Sequence, residues 1–210
     1  MKSLEDLINK AMQLKEEGLA TGEIADDLNV SKETALWLIT KGSKKQEAIE
    51  APRDVYIDWS TLGGKSTRIR FLALAMTDML MECLEENELP IPDVVIGIAT
   101  SGVPLATLIA EELDATVAIV RPRKHMWDPE KKIKRTGFFS TTFSNVSGKN
   151  VVIVDDIITS GSTIRDIIEL LKDVRADPLA AIVIVDKKGI DKINGVPVKS
   201  LMKVKRVEEI

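Results

Sequence analysis

One cysteine and one histidine stand in a chain of 210 residues. With the single thiol of Cys83 no disulfide can close within the chain, and no metal-thiolate cluster can form. No apolar run approaches the length of a membrane span, and the N-terminus has no continuous apolar stretch of the signal-peptide kind, so a cytoplasmic protein with no membrane association is expected. Basic charge is not in excess either: 29 Lys and Arg face 33 Asp and Glu. That balance excludes a global nucleic-acid signature, so any DNA-binding surface must be local. Internal repeats and low-complexity tracts are absent. What remains is ordinary for a soluble globular protein, 44% hydrophobic and 30% charged, with room for one sizeable domain and a small one. Cys83 itself falls in the run Ile69, Leu72, Ala73, Met76, Met79, Leu80, Cys83, Leu84, whose spacing places it on the apolar face of a helix as a core thiol.

The densest chemistry lies in Val151-Val-Ile-Val-Asp-Asp-Ile-Ile-Thr-Ser-Gly-Ser-Thr163. Four β-branched residues make a short buried strand, and Asp155 and Asp156 sit at its C-terminal end. Thr159, Ser160, Gly161, Ser162 and Thr163 form a turn, and Ile164, Ile167, Ile168 and Leu171 continue at helical spacing. Open parallel sheets bind ligands at the carboxyl ends of their strands. A turn rich in N–H groups and hydroxyls that opens a helix suits a phosphate. The two acids before it can accept hydrogen bonds from adjacent sugar hydroxyls, so one cleft would hold a ribose 5-phosphate. The plain alternative is a strand-turn-helix with an acidic cap. No Gly-Lys-Ser/Thr closes the turn, which excludes a Walker A loop.

A second strand-turn-helix is Gly97-Ile-Ala-Thr-Ser-Gly-Val-Pro-Leu-Ala106. Gly102 permits close backbone approach, and Pro104 suits a first helical turn. Around these two motifs the pattern alternates: strand 93–98, helix 104–113, strand 115–120, strand 150–154, helix 162–174, strand 180–185. That order implies an α/β domain with a parallel sheet covered by helices. Residues 121–135 carry seven basic and two acidic residues without apolar periodicity. A solvated charged loop is the simplest account of them, and His125 within it has no nucleophile to serve.

Residues 3–41 carry a different signature. Leu4, Leu7, Ile8, Ala11 and Leu14 repeat at helical spacing, Gly18 breaks the run, Thr21 can cap a second short helix, and Ser31 can cap a third. Ile24, Leu28, Val30, Ala35 and Leu38 would form a small core between two steeply crossing helices, with Ala25 permitting their approach. This resembles a helix-turn-helix, with Asn29 where that motif favours Gly; Asn also tolerates the left-handed conformation. The second helix of such a motif enters the major groove. Its face would offer Ser31, Lys32, Glu33, Thr34 and Trp37, with Lys41, Lys44 and Lys45 reaching phosphates. Acids in the first two helices weaken the electrostatic case, and a dimerisation or capping appendage is the alternative. Residues 42–52 read as a linker, dividing a helix-turn-helix domain at 1–45 from a second domain at 53–210.

The acidic-pair turn resembles the phosphoribosyl-pyrophosphate (PRPP) motif of type I phosphoribosyltransferases, and the resemblance extends over roughly residues 53–205. It implies that Asp155 and Asp156 take the ribose 2- and 3-hydroxyls, and that Thr159–Thr163 takes the 5-phosphate. It further implies that Ala99, Thr100, Ser101 and Gly102 form the pyrophosphate loop, with a non-proline cis peptide at Ala99–Thr100. Arg123 and Lys124 match the start of the basic lid of orotate enzymes. Were the chain active, Lys124, Arg123 and Asp156 would be its catalytic residues. Val196–Val204 and Val55–Trp59 would build the family's small hood over the cleft. Mg²⁺ would accompany PRPP, held mainly by the ligand's oxygens rather than by a protein site, and a homodimer is implied.

The departures bear on function. Orotate enzymes usually carry Lys where this chain has Ser101, a further lid Lys where it has Trp127, and the lid His where it has Pro129. The strand beneath the base usually closes Asp-Arg; here it closes Asp186-Lys187, and Lys187 cannot reproduce a planar forked donor. Together these changes remove charge that stabilises departing pyrophosphate and leave the ribose-phosphate pocket intact. With a helix-turn-helix in front, the pattern resembles archaeal orotate-phosphoribosyltransferase-like transcription regulators of sugar metabolism (the GfcR group). The expectation is a DNA-binding regulator sensing PRPP or a related sugar phosphate. An active orotate or other nucleobase phosphoribosyltransferase is the alternative, and a partner-binding module with a vestigial cleft is a third.

Overall fold

The computed structural model describes residues 3–42, 51–121, 138–140 and 145–205. It divides into two compact units, residues 1–64 and 65–210.

The first unit opens with α1 (Leu4–Glu16), α2 (Thr21–Asp27) and α3 (Lys32–Gly42). Ser3 begins α1 with reciprocal caps: its Oγ accepts from Asp6 N–H, and its own N–H donates to Asp6 Oδ2, each at 3.2 Å. The cap of α2 is Ala20 rather than Thr21. A methyl group cannot accept a hydrogen bond, and Glu23 compensates by accepting from the Ala20 N–H at 2.6 Å. Ser31 does cap α3, its Oγ accepting from Thr34 N–H at 3.1 Å. Asn29 turns the chain between α2 and α3 at φ 54°, the left-handed conformation that Asn tolerates. Ile24, Ala25, Leu28, Val30, Ala35 and Leu38 are buried together with Ala11, Leu14, Trp37 and Ile39 in one cluster.

The chain from 51 to 64 packs with these helices. Tyr56 lies against their core, and Asp54 binds the start of α3. Val55–Trp59, expected to contribute to a hood, is irregular and leads into the short α4 (Ser60–Gly63). Asp54 ties this segment to the start of α3 through its side chain.

The second unit begins with α5 (Ser66–Glu86), followed by β1 (Val94–Ile98), α6 (Gly102–Glu112), β2 (Thr116–Arg121), β3 (Phe138–Ser140) and β4 (Asn150–Ile158). Then come α7 (Ser162–Asp173), β5 (Asp177–Asp186), β6 (Lys192–Ile193) and β7 (Val196–Lys203). The strands form one sheet in the order β3-β2-β1-β4-β5-β7-β6. β2, β1, β4, β5 and β7 run parallel, and the two edge strands β3 and β6 pair antiparallel. β7 was expected in a separate hood but joins the main sheet, Ala181 pairing with Val198 and Val183 with Ser200. Alternate residues of a strand face opposite sides, and Val196 and Val198 join the same buried cluster as α7.

Helices cover both faces. α5 and α6 pack together against the sheet on one side, with Ala73, Met76, Leu80, Cys83 and Leu84 as the buried stripe of α5. Cys83 is a core thiol, as its spacing predicts. On the other side α7 buries Ile164, Ile167, Ile168 and Leu171 against Ile153, Ala181 and Val183. β1 and β4 are enclosed on both faces, so their central residues are uniformly apolar.

Candidate functional site

From β1 the chain crosses to β2 on one side of the sheet, and from β4 it crosses to β5 on the other. The adjacent pair β1–β4 is thus the point where strand order reverses, and the crevice at its carboxyl end is where such sheets bind ligands. The loops after β1 and β4 meet there. Ser101 Oγ donates to Asp156 Oδ1 at 2.8 Å and lies 3.5 Å from Asp155 Oδ1, joining residues 54 and 55 positions apart.

Gly102 makes this approach possible. A Cβ on it would collide with the Val154 carbonyl oxygen and stand 3.1 Å from Asp155 Cα. Gly97, at the end of β1, is likewise held near α6: a Cβ there would lie 2.7 Å from Val103 Cα. The peptide bond Ala99–Thr100 between them is cis, as the family resemblance implies.

The two carboxylates differ in environment. Asp156 is 7% exposed, while Asp155 is half-buried and accepts from the Asp156 N–H at 2.9 Å. Burial first, and then the adjacent charge of Asp156, push the Asp155 carboxyl well above its ordinary value. Two such groups side by side suit hydrogen-bond donors such as vicinal hydroxyls or a cation, and repel each other without them.

Next to the pair, Thr159–Thr163 leads into α7. Gly161 is the N-cap at φ 76°, a conformation that glycine adopts without a side-chain clash. Ser160 and Ser162 hydroxyls lie 3.0 Å apart, and Ser162 N–H donates to Ser160 Oγ at 3.4 Å. A hydroxyl-lined turn at a helix N-terminus has the donors that a phosphate needs.

Sequence reasoning missed the device that holds the neighbouring loop. Asp186 ends β5 fully buried, and its carboxylate accepts from the N–H groups of Lys188, Gly189 and Ile190 at 2.7–2.8 Å. Ile190 is thereby set against the phosphate turn: a Cβ on Gly161 would come within 2.8 Å of its Cδ1. The Asp-Lys pair was visible as a strand end, but nothing local distinguishes a loop anchor from a base-binding acid. Lys187 follows directly, half-buried, its N–H bonded to Ile158 O at 2.9 Å.

Other expected residues fall elsewhere. Arg123, Lys124 and Lys44 lie outside the described residues, as do His125, Trp127 and Pro129. In the first unit, Asp54 Oδ2 accepts from Ser31 N–H at 2.6 Å and from Thr34 Oγ1 at 2.8 Å, while the two hydroxyls lie 2.8 Å apart. Trp37 is only 9% exposed, and Lys41 Nζ stands 4.9 Å above its ring centroid in a cation–π arrangement. Lys32 is exposed.

Crevice, acidic pair and hydroxyl turn define a phosphoribosyltransferase-type domain, and the family profile "Phosphoribosyl transferase domain" matches residues 71–201. Among solved structures, orotate phosphoribosyltransferase from Aeropyrum pernix is 26% identical with a TM-score of 0.52, covering 76% of this chain and 86% of that one. Adenine phosphoribosyltransferase from Thermoanaerobacter pseudethanolicus shares the fold at 18% identity and a TM-score of 0.54, over 74% and 91%. Full-length similarity lies with proteins named transcriptional regulator GfcR. The one from Methanosarcina mazei is 48% identical over 210 residues, 99% of this chain and all of that one. The one from Haloferax volcanii is 43% identical over 214 residues, covering both chains completely. The chain belongs to the GfcR family of transcriptional regulators with a phosphoribosyltransferase-type domain.

Proposed function

We propose that this protein binds DNA through α2 and α3 and senses PRPP or a related sugar phosphate in the crevice between β1 and β4. In this reading Asp155 and Asp156 take the sugar hydroxyls, Thr159–Thr163 takes the 5-phosphate, and Ala99–Gly102 takes the pyrophosphate. Arg123, Lys124 and Lys187 supply cations around it, Mg²⁺ accompanies the ligand's phosphates, and a homodimer reads paired half-sites in the cytoplasm.

One observation carries the sensing rather than transferring role: Ser101 donates a neutral hydroxyl to Asp156 in the loop where the resembling transferases carry a lysine. A phosphoribosyl transfer leaves pyrophosphate as a trianion or tetra-anion, and preorganised positive charge is what lowers that barrier. A hydroxyl already turned towards a carboxylate does not supply it. The ribose and phosphate determinants are independent of that charge and persist.

The test uses the full chain with Mg²⁺. Calorimetry should register PRPP binding, and PRPP with orotate should give product far below about 1 per second, the lower end of ordinary enzyme turnover. Turnover at or above that rate would make the protein an active orotate phosphoribosyltransferase instead. Absence of PRPP binding at millimolar ligand would refute the sensing site.

A further inference from the structure

The solvent side of α3 carries a residue that neither cap nor core explains. At about 100° per residue, Lys32, Leu36, Thr40 and Glu33 share one arc; Leu38 lies opposite it, and Ala35 and Ile39, on the flank between, are buried with Leu38 in the core. Leu36 is 56% exposed, whereas Leu38 in the same helix is 1% exposed.

Of the polar groups expected to read bases, Ser31, Thr34 and Trp37 are engaged inside the unit, while Lys32 and Glu33 are exposed. Ser31 and Thr34 hydroxyls bond each other and Thr34 bonds Asp54. Trp37 is buried, with Lys41 over its ring. Thr40 Oγ1 turns back to the Leu36 carbonyl at 2.8 Å. The outward arc therefore offers an aliphatic side chain, Leu36, flanked by the cation of Lys32 one turn before it and by the exposed carboxylate of Glu33.

We propose that Leu36 is the base-reading residue of α3, and that it packs against the 5-methyl group of a thymine in the major groove while Lys32 faces the phosphate backbone. The inference rests on the DNA-binding reading of this unit. The second helix of a helix-turn-helix lies in the major groove, and thymine alone presents an apolar group there. Leucine has no donor or acceptor with which to read any other edge. The lysine one turn earlier complements a polyanion.

The experiment uses the full-length protein. Sites are enriched from a random duplex library with and without PRPP and Mg²⁺, and each thymine of the enriched half-site is then replaced by deoxyuridine, which lacks only the methyl group. Fluorescence anisotropy should show wild-type binding weakened about fourfold at one or two positions, equivalent to ~0.8 kcal/mol for one buried methyl. Leu36→Ala, an exposed change to a better helix former, should be indifferent to uridine at those positions and unchanged at the others. Thr34→Ala should keep the wild-type uridine pattern. A Leu36→Ala protein with the wild-type uridine pattern overturns the proposal. So does one whose only change is altered subunit assembly in sedimentation, which would assign the arc to a second copy of the chain. If no site is enriched under any condition, the DNA-binding reading itself fails and this inference with it.

Discussion

Replacing Asp54 with alanine tests how the first unit holds its third helix. The carboxylate accepts from Ser31 N–H at 2.6 Å and Thr34 Oγ1 at 2.8 Å through Oδ2, and from Val55 N–H at 2.7 Å through Oδ1. Hydrogen bonds to a charged group contribute about 1.5–3 kcal/mol each, and a buried partner left unsatisfied costs about 1–3 kcal/mol. Here the site is only part-buried, so water can replace some of that loss. Ser31 Oγ also still caps Thr34 N–H at 3.1 Å. The net effect should therefore resemble removal of a good N-cap, up to about 2 kcal/mol. For a unit of this size that lowers the melting midpoint by roughly 10 °C. Tryptophan fluorescence is a suitable probe, because Trp37 and Trp59 of the three tryptophans belong to this unit. Asp54→Asn retains an acceptor oxygen but no charge, and should fall between the two. An Asp54→Ala midpoint equal to the wild type would refute the idea that this strap secures α3.

Two further outcomes concern the crevice. The Asp155 carboxyl is raised from 3.8 by burial and by Asp156, so its favourable contribution is complete below the unfolded value and is lost as pH rises through the folded one. Asp155→Asn should therefore make the ligand-free protein more stable near neutral pH, relative to wild type, while weakening PRPP binding at least about tenfold, ~1.4 kcal/mol. Urea denaturation followed at several pH values from about 4 to 8 checks the first part, and a variant less stable at pH 7 would contradict it. Gly102→Ala drives a Cβ into the Val154 carbonyl oxygen, a backbone obstacle. It should cost about 1–3 kcal/mol and abolish PRPP binding by parting the Ser101 loop from the acidic pair. Gly63→Ala, with nothing within 4 Å of its new methyl, is the control, and equal behaviour of the two would refute the packing argument.

Much of this protein follows from local pattern. The uniformly apolar Val151–Val154 announces a strand enclosed on both faces, and the spacing of Ile164, Ile167, Ile168 and Leu171 announces α7, because helical and strand periods are properties of the backbone. Ile24, Leu28, Val30, Ala35 and Leu38 identify the small helical core for the same reason. The family of the acidic-pair turn was equally legible, since that motif is contiguous.

Tertiary structure decided what joins distant positions. Trp37 was expected on the outward face of α3, and the packing of α1 and α2 against α3 buries it while leaving Leu36 outside. Asp54 meets Thr34 across 20 positions, and that contact, which no local propensity encodes, draws residues 51–64 to the helical unit. β7 shows the same division: its alternation marks a strand, but its partner β5 is chosen by the apolar face that Val198 buries. Likewise the residues Ser101, Asp155 and Asp156 can be named from the chain alone. That the hydroxyl reaches the carboxylate, 2.8 Å away, depends on a glycine at 102 small enough to let two loops touch at the reversal of the sheet.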